Sequence, residues 1–262
     1  MKPTNAALFG DIRAVIIDLD GTMLDTAADF HVAINRMRAE FSLPPLDISS
    51  IKEFVGKGTE NLIRRVLAVD YDLHAAEHHF EPALASYQRH YLAVNGDYSS
   101  LYPQVVAGLE KLHADGMRLA CVTNKPLAFA IPLLKKTGLH DYFEVIYGGD
   151  SFAQKKPDPT PLLQVFADFS VAPQQVVAIG DSSNDAQAAR AAGCRVLNVP
   201  YGYNHGQSIQ DVDSDGIVET LLEAAHLIAT QRFSTATTPS VKLRSSAWPC
   251  SDRMDSGWNC TP

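Results

Sequence analysis

Two aspartates, Asp18 and Asp20, follow the apolar run AVII at residues 14–17, with one leucine between them and Gly21 and Thr22 just beyond. Three more apolar runs end in chemistry-bearing residues. RLACV is followed by Thr123, Asn124 and Lys125, EVIYGGD by Lys155 and Lys156, and VVAIG by Asp181 and Asp185. Open α/β sheets bind ligands beyond the carboxyl ends of their strands. Read as parallel strands, these four runs deliver carboxylates, lysines and hydroxyls to one rim. Turn chemistry explains one such cluster but not four. Two like charges 4 Å apart repel by about 4 kcal/mol at an effective dielectric near 20. Four crowded carboxylates therefore call for a cation. A hard divalent ion with oxygen ligands, such as Mg2+, suits them.

The elements that must position these groups can be read from periodicity. The first strand, about 14–18, is followed by a long helical section, in which residues 28–42, 51–68 and 75–94 carry apolar positions at helical spacing. Pro44-Pro45 and Gly56–Gly58 break it. From about residue 100 strands and helices alternate: VVAGLEKLHADG, MRLACVTN, PLAFAIPLLKKTG, FEVIYGGD, PTPLLQVFADF, QVVAIGDS, NDAQAARAAG, RVLNVPYG. That alternation, with unbroken apolar strands, predicts an α/β fold whose parallel sheet is covered on both faces. The early helical block then reads as an inserted second domain. Residues 234–262, rich in Ser, Thr and Pro and holding both tryptophans, are expected to form a disordered tail.

Composition narrows the function. The chain has 262 residues, 46% of them hydrophobic, enough for a substantial core. A net charge of −8 with no lysine- or arginine-rich block argues against nucleic acid or an anionic membrane as the main partner. No stretch approaches the ~20 apolar residues of a membrane span, and the N-terminal MKPTNAALFGDIR lacks a signal-peptide run. The four cysteines show no CxxC spacing, so Cys121 and Cys194 are expected as buried thiols in a cytoplasmic protein. His74 and His78 are four apart but lack the HExxH order, and read as a solvated helix face. Tyr201 and Tyr203 follow the last strong strand; a packed turn is the simpler reading, a place at the pocket border the alternative. Oligomeric state is left open.

The four rim clusters, in this order, resemble the haloacid dehalogenase-like hydrolase superfamily: DxDGT at Asp18–Thr22, the threonine of VTNK (Thr123), the lysine of KPDP (Lys156) and GDxxxD at Asp181 and Asp185. The sequences VTNKP, GDSSNDAQAARAAG and YGYNHG are similar to the bacterial phosphoglycolate phosphatase family. The resemblance implies a Rossmann-like catalytic core from 1–26 and 99–233 and a helical cap over 27–98. It implies Mg2+-dependent hydrolysis of a small phosphate monoester, most simply 2-phosphoglycolate, through an aspartyl-phosphate intermediate. Asp18 would be the nucleophile and Asp20 the general acid and base. Thr123 and Asn124 would bind phosphate, and Lys156 would neutralise it. Asp18, Asp181 and the backbone carbonyl of Asp20 would ligate the metal, with Asp185 behind them. Lys57, between Gly56 and Gly58 of the cap, is a candidate contact to the substrate carboxylate. The same motifs leave open another small-molecule phosphatase, acting on a sugar phosphate or pyrophosphate, and a phosphomutase.

Overall fold

The computed structural model describes residues 10–235. β1 (Ala14–Ile17), buried along its whole length, lies inside a parallel sheet. The strand order is β5 (Val145–Tyr147), β4 (Arg118–Val122), β1, β6 (Val176–Gly180), β7 (Arg195–Asn198) and β8 (Gly216–Ile217). Side chains of a strand alternate between its two faces, and here both faces are apolar. Val15, Ile17, Leu119, Cys121, Val177 and Ile179 point into one core. That core is completed by α5 (Val105–Ala114), α6 (Leu127–Lys136) and α9 (Leu221–Thr235). Ile16, Ala120, Val122, Val176 and Ala178 point into the other, beneath α7 (Thr160–Phe169) and α8 (Ser183–Ala192). The covered parallel sheet expected from the unbroken apolar runs is thus present.

Between β1 and the rest of the sheet stand α1 (Ala27–Glu40), α2 (Ile48–Phe54), α3 (Thr59–Leu67) and α4 (Leu73–Val94), gathered around a separate hydrophobic core. The chain leaves and re-enters through a short antiparallel ribbon, β2 (Leu24–Asp25) against β3 (Ser100–Leu101). Buried Arg38 ties this block together, donating to the Pro44 and Val66 carbonyls at 2.7 and 3.0 Å and to Asp70 at 2.6 Å. An enclosed guanidinium needs that many acceptors to offset its lost hydration. His74 and His78 lie on exposed faces of α4, as their spacing suggested. No helix among the described residues is long and apolar enough to cross a membrane. The tail expected over 234–262 lies outside the described residues except for the end of α9.

Candidate active site

Every strand that supplies a motif ends at the same edge of the sheet. Asp18 follows β1 directly, and its backbone N–H still bonds Ile179 of β6 at 3.0 Å. The chain then turns tightly, Gly21 N–H to the Leu24 carbonyl at 2.8 Å, with Gly21 at φ +87°. A side chain there would be strained, and its Cβ would stand 2.2 Å from Asp181 Oδ2. Gly202, on the other side, leaves the same 2.2 Å gap to that oxygen. The two glycines form a close cradle around the Asp181 carboxylate. Thr22 donates its hydroxyl to Asp181 Oδ1 at 3.0 Å, and the Tyr203 N–H meets Oδ2 at 2.5 Å.

Lys156 is the electrostatic centre. Its ammonium donates to Asp18 Oδ1 at 2.7 Å, to Asp185 Oδ1 at 2.6 Å and to the Val122 carbonyl at 2.6 Å. Those three bonds use all its donors. Burial opposes the charge on Lys156, yet Asp18 and Asp185 hold its pKa above the ordinary lysine value. Burial pushes the Asp18 carboxyl up to about 7; Lys156 opposes the shift, and the charges of Asp185 and Asp20 add to it. Asp181 is raised well above the carboxylate range by burial, then by Asp185 and Asp18. Asp185 also accepts from the Ser182 N–H at 3.1 Å and hydroxyl at 2.6 Å, closing the N-terminus of α8.

Asp18, Asp181 and Asp185 each bring a carboxylate oxygen within 4.8 Å of the others, all three residues being buried. One lysine cannot balance three such carboxylates. An all-oxygen, buried, over-charged set suits a hard divalent cation, so these residues fit a metal ion. The Asp20 carboxylate stands apart from this group. It accepts from Thr26 Oγ1 at 2.7 Å and from Lys125 Nζ at 2.9 and 3.2 Å.

The remaining motif residues divide. Thr123 lines the same cavity as Asp18, Asp20, Lys156, Asp181 and Asp185. Its hydroxyl oxygen accepts the Lys125 N–H at 3.1 Å, which leaves the hydroxyl proton to donate. Asn124 also lines the cavity, but its amide is spent elsewhere, donating to the Gly56 and Lys156 carbonyls at 2.9 and 2.8 Å. Both amide protons are thus placed, and the Asn124 side chain has no donor left for an anion. Lys57 is exposed and does not line the cavity, which is fronted instead by its neighbours Gly56, Gly58 and Thr59. The loop therefore presents backbone, not the lysine, to the site. Lys155 is half-buried at the seam, 3.5 Å from Glu60 of α3.

Three further residues take part in the site in roles that the sequence did not specify. Lys125 holds Asp20. Asn184 donates to the Gly56 carbonyl at 3.0 Å. Tyr203 accepts the Thr26 and Ala27 N–H groups at 2.9 and 3.1 Å and donates to Asp25, so a tyrosine from the core caps α1. Lys125 and Asn184 stand inside motif strings already noted, so proximity to a motif was their available signal. Tyr203, placed after the last strong strand, lines the cavity, and its capping of α1 is supplied by the fold.

A parallel sheet whose central strand ends in paired aspartates, with a lysine and two more aspartates from neighbouring strands, defines an acid-rich hydrolase centre. The family of haloacid dehalogenase-like hydrolases matches residues 15–199, and the chain belongs to that family of enzymes. It is 47% identical over 221 residues to a phosphoglycolate phosphatase of Thiobacillus denitrificans, covering 83% of this chain and 96% of that one. It is 46% identical over 217 residues to a phosphoglycolate phosphatase of Nitrosospira multiformis, with the same coverage, 83% and 96%. A crystal structure from Haemophilus somnus, described as a predicted phosphoglycolate phosphatase, superposes with a TM-score of 0.78 at 30% identity, covering 83% of this chain and 98% of that one.

Proposed function

We propose that the protein is a Mg2+-dependent phosphatase that hydrolyses 2-phosphoglycolate to glycolate and phosphate. The convergence of Asp18, Asp20, Thr123, Lys156, Asp181 and Asp185 on one cavity carries the reading. The names of the relatives support the substrate. Asp18 attacks phosphorus, and the bond from phosphorus to the glycolate oxygen breaks, leaving an aspartyl phosphate. An alkoxide is a poor leaving group, so Asp20 gives it a proton. Asp20 then takes a proton from water, which attacks phosphorus and restores Asp18. Lys156 offsets charge on Asp18 and on the phosphoryl oxygens, and the Thr123 hydroxyl donates to one of them. Asp18, Asp181 and the Asp20 backbone carbonyl would hold Mg2+, with Asp185 steadying Lys156. The ion would supply positive charge against the dianionic ester.

In this reading residues 27–98 act as a cap that excludes bulk water. The buried free thiols Cys121 and Cys194 are consistent with a cytoplasmic setting. The test is a phosphate-release panel over phosphoglycolate, sugar phosphates, nucleotides and pyrophosphate, with and without Mg2+. Phosphoglycolate should lead, release should stop on chelation, and Asp18→Asn should abolish it with the fold intact. Undiminished release after exhaustive chelation rejects the metal. Preference for a sugar phosphate rejects the substrate, and turnover that requires a bisphosphate activator points to a mutase instead.

A further inference from the structure

Lys125 is a buried cation on the cavity wall that the reaction above leaves without a role. Its side chain is 2% exposed. The ammonium bonds both Asp20 oxygens and donates to the Tyr91 hydroxyl of α4 at 2.6 Å. It lies 4.6 and 4.7 Å from the ring centroids of Phe30 and Tyr91. Its three donors meet three acceptors, of which the second Asp20 oxygen, at 3.2 Å, is the longest contact and the one a substrate anion would displace. Lys125 and Lys156 are the two lysines lining the cavity, which holds no arginine. Lys156 is fully committed to Asp18, Asp185 and Val122, at the phosphoryl end. A second anionic group on the substrate therefore meets Lys125 or finds no cation on that wall.

The position of Lys125 specifies which anion. Asp20 must approach within about 2.6–3.2 Å of the ester oxygen to protonate it. In phosphoglycolate the carbon that bears this oxygen also bears the carboxylate. By ordinary bond lengths the carboxylate oxygens then lie about 2.6–3.6 Å from the ester oxygen. A cation touching Asp20 is in reach of that group, and Lys125 Nζ is 2.9 Å from Asp20 Oδ1. Lys57 is exposed and outside the lining. The cavity beside Lys125 is closed by Phe30, Leu62, Tyr87 and Phe129, which offer no charge to a longer polar chain.

We propose that Lys125 binds the substrate carboxylate, so the site selects phosphate esters whose carboxylate sits on the carbon bearing the ester oxygen. The proposal rests on the phosphoglycolate reading and sharpens it. The test compares kcat/KM for phosphoglycolate and for ethyl phosphate, which has the same carbon count and an equally poor leaving group but no carboxylate. Wild type should favour phosphoglycolate. Lys125→Met should cut that preference roughly 10- to 100-fold, the loss of a charged hydrogen bond, and Lys125→Arg should keep most of it. Thermal melts and p-nitrophenyl phosphate turnover report whether each variant is folded. If Lys125→Met does not fold, Lys125→Gln is read in the same way.

Equal losses on both esters overturn the proposal and leave Lys125 as a positioning residue for Asp20. A preference that survives Lys125→Met overturns it as well, while the phosphoglycolate reading stands. Wild type without any preference removes the phosphoglycolate reading, and the carboxylate site falls with it.

Discussion

Asn124 donates its side-chain amide to the Gly56 carbonyl at 2.9 Å, so a core loop on the cavity wall holds the α2–α3 loop of the helical insertion. Asn184, at the start of α8, reaches the same oxygen at 3.0 Å. A carbonyl oxygen has two lone pairs, and here both are occupied from the core. The insertion and the core are thus latched by residues that sit within the strand-end motifs.

Removing one side of that latch should loosen closure more than it harms the fold. Asn124→Ala frees the Lys156 carbonyl and leaves the Gly56 carbonyl held by Asn184 alone. The lost buried hydrogen bonds should lower Tm by roughly 3–8 °C. The larger effect should be on substrate capture, with KM for phosphoglycolate rising about tenfold, a loss comparable to one buried hydrogen bond. Steady-state kinetics and a melting curve separate the two. An unchanged KM would mean that closure does not depend on this bond.

Metal binding should register as stability. Asp18, Asp181 and Asp185 crowd buried oxygens together against a single lysine. A ligand at about 100 times its Kd stabilises by about 2.7 kcal/mol, or roughly 5–10 °C in a domain of this size. Mg2+ should raise Tm by that amount in a fluorimetric melt without substrate. Asp181→Asn should abolish the rise. A full Mg2+ shift in that variant would place the ion elsewhere.

Tyr203→Phe should destabilise the insertion at its first turn. The phenol accepts the Thr26 and Ala27 N–H groups, and no side chain of α1 caps that end. Phenylalanine fills the space but orphans the buried Thr26 N–H, at about 1–3 kcal/mol, while the Ala27 N–H keeps Asp25 Oδ1 at 3.1 Å. Tm should fall by roughly 3–10 °C. A variant that melts with wild type would show that another acceptor takes over.

A pH signature should come from Glu40 of α1. Hydrogen bonds from Ser86, His90 and Arg89 of α4 lower its pKa from 4.5 to about 2. A carboxylate depressed by folding stabilises above its unfolded value, and that contribution fades as pH falls from 4.5 towards 2. Glu40→Gln should therefore melt below wild type at pH 7, and the gap should close near pH 2–3. A gap that persists or widens in acid would assign the effect to packing instead of charge.

What could be read from the chain, and what could not, follows from range. β1 and β6 are continuous apolar runs, and β4 and β7 become so after their leading arginines, as far as Val122 and Leu197, so their pattern is local and visible. The breaks between α2 and α3 at Gly56–Gly58 and between α1 and α2 at Pro44-Pro45 are local as well. β2, β3 and β8 are two residues each, too short for any periodicity to declare. They exist because neighbouring chain arrives beside them.

The site divides along the same line. Asp18, Thr123, Lys156, Asp181 and Asp185 follow strands of one parallel sheet, and sheet geometry obliges them to meet, so residue order alone brought them together. The exposure of Lys57, the diversion of the Asn124 amide and the placing of Lys125 against Asp20 were decided by how four helices settle on that rim. Those outcomes depend on contacts between residues as distant as Tyr91 and Lys125. Such contacts leave no periodic trace in the chain, because one side chain's hydrogen-bonding choice is set by whichever partner the fold delivers.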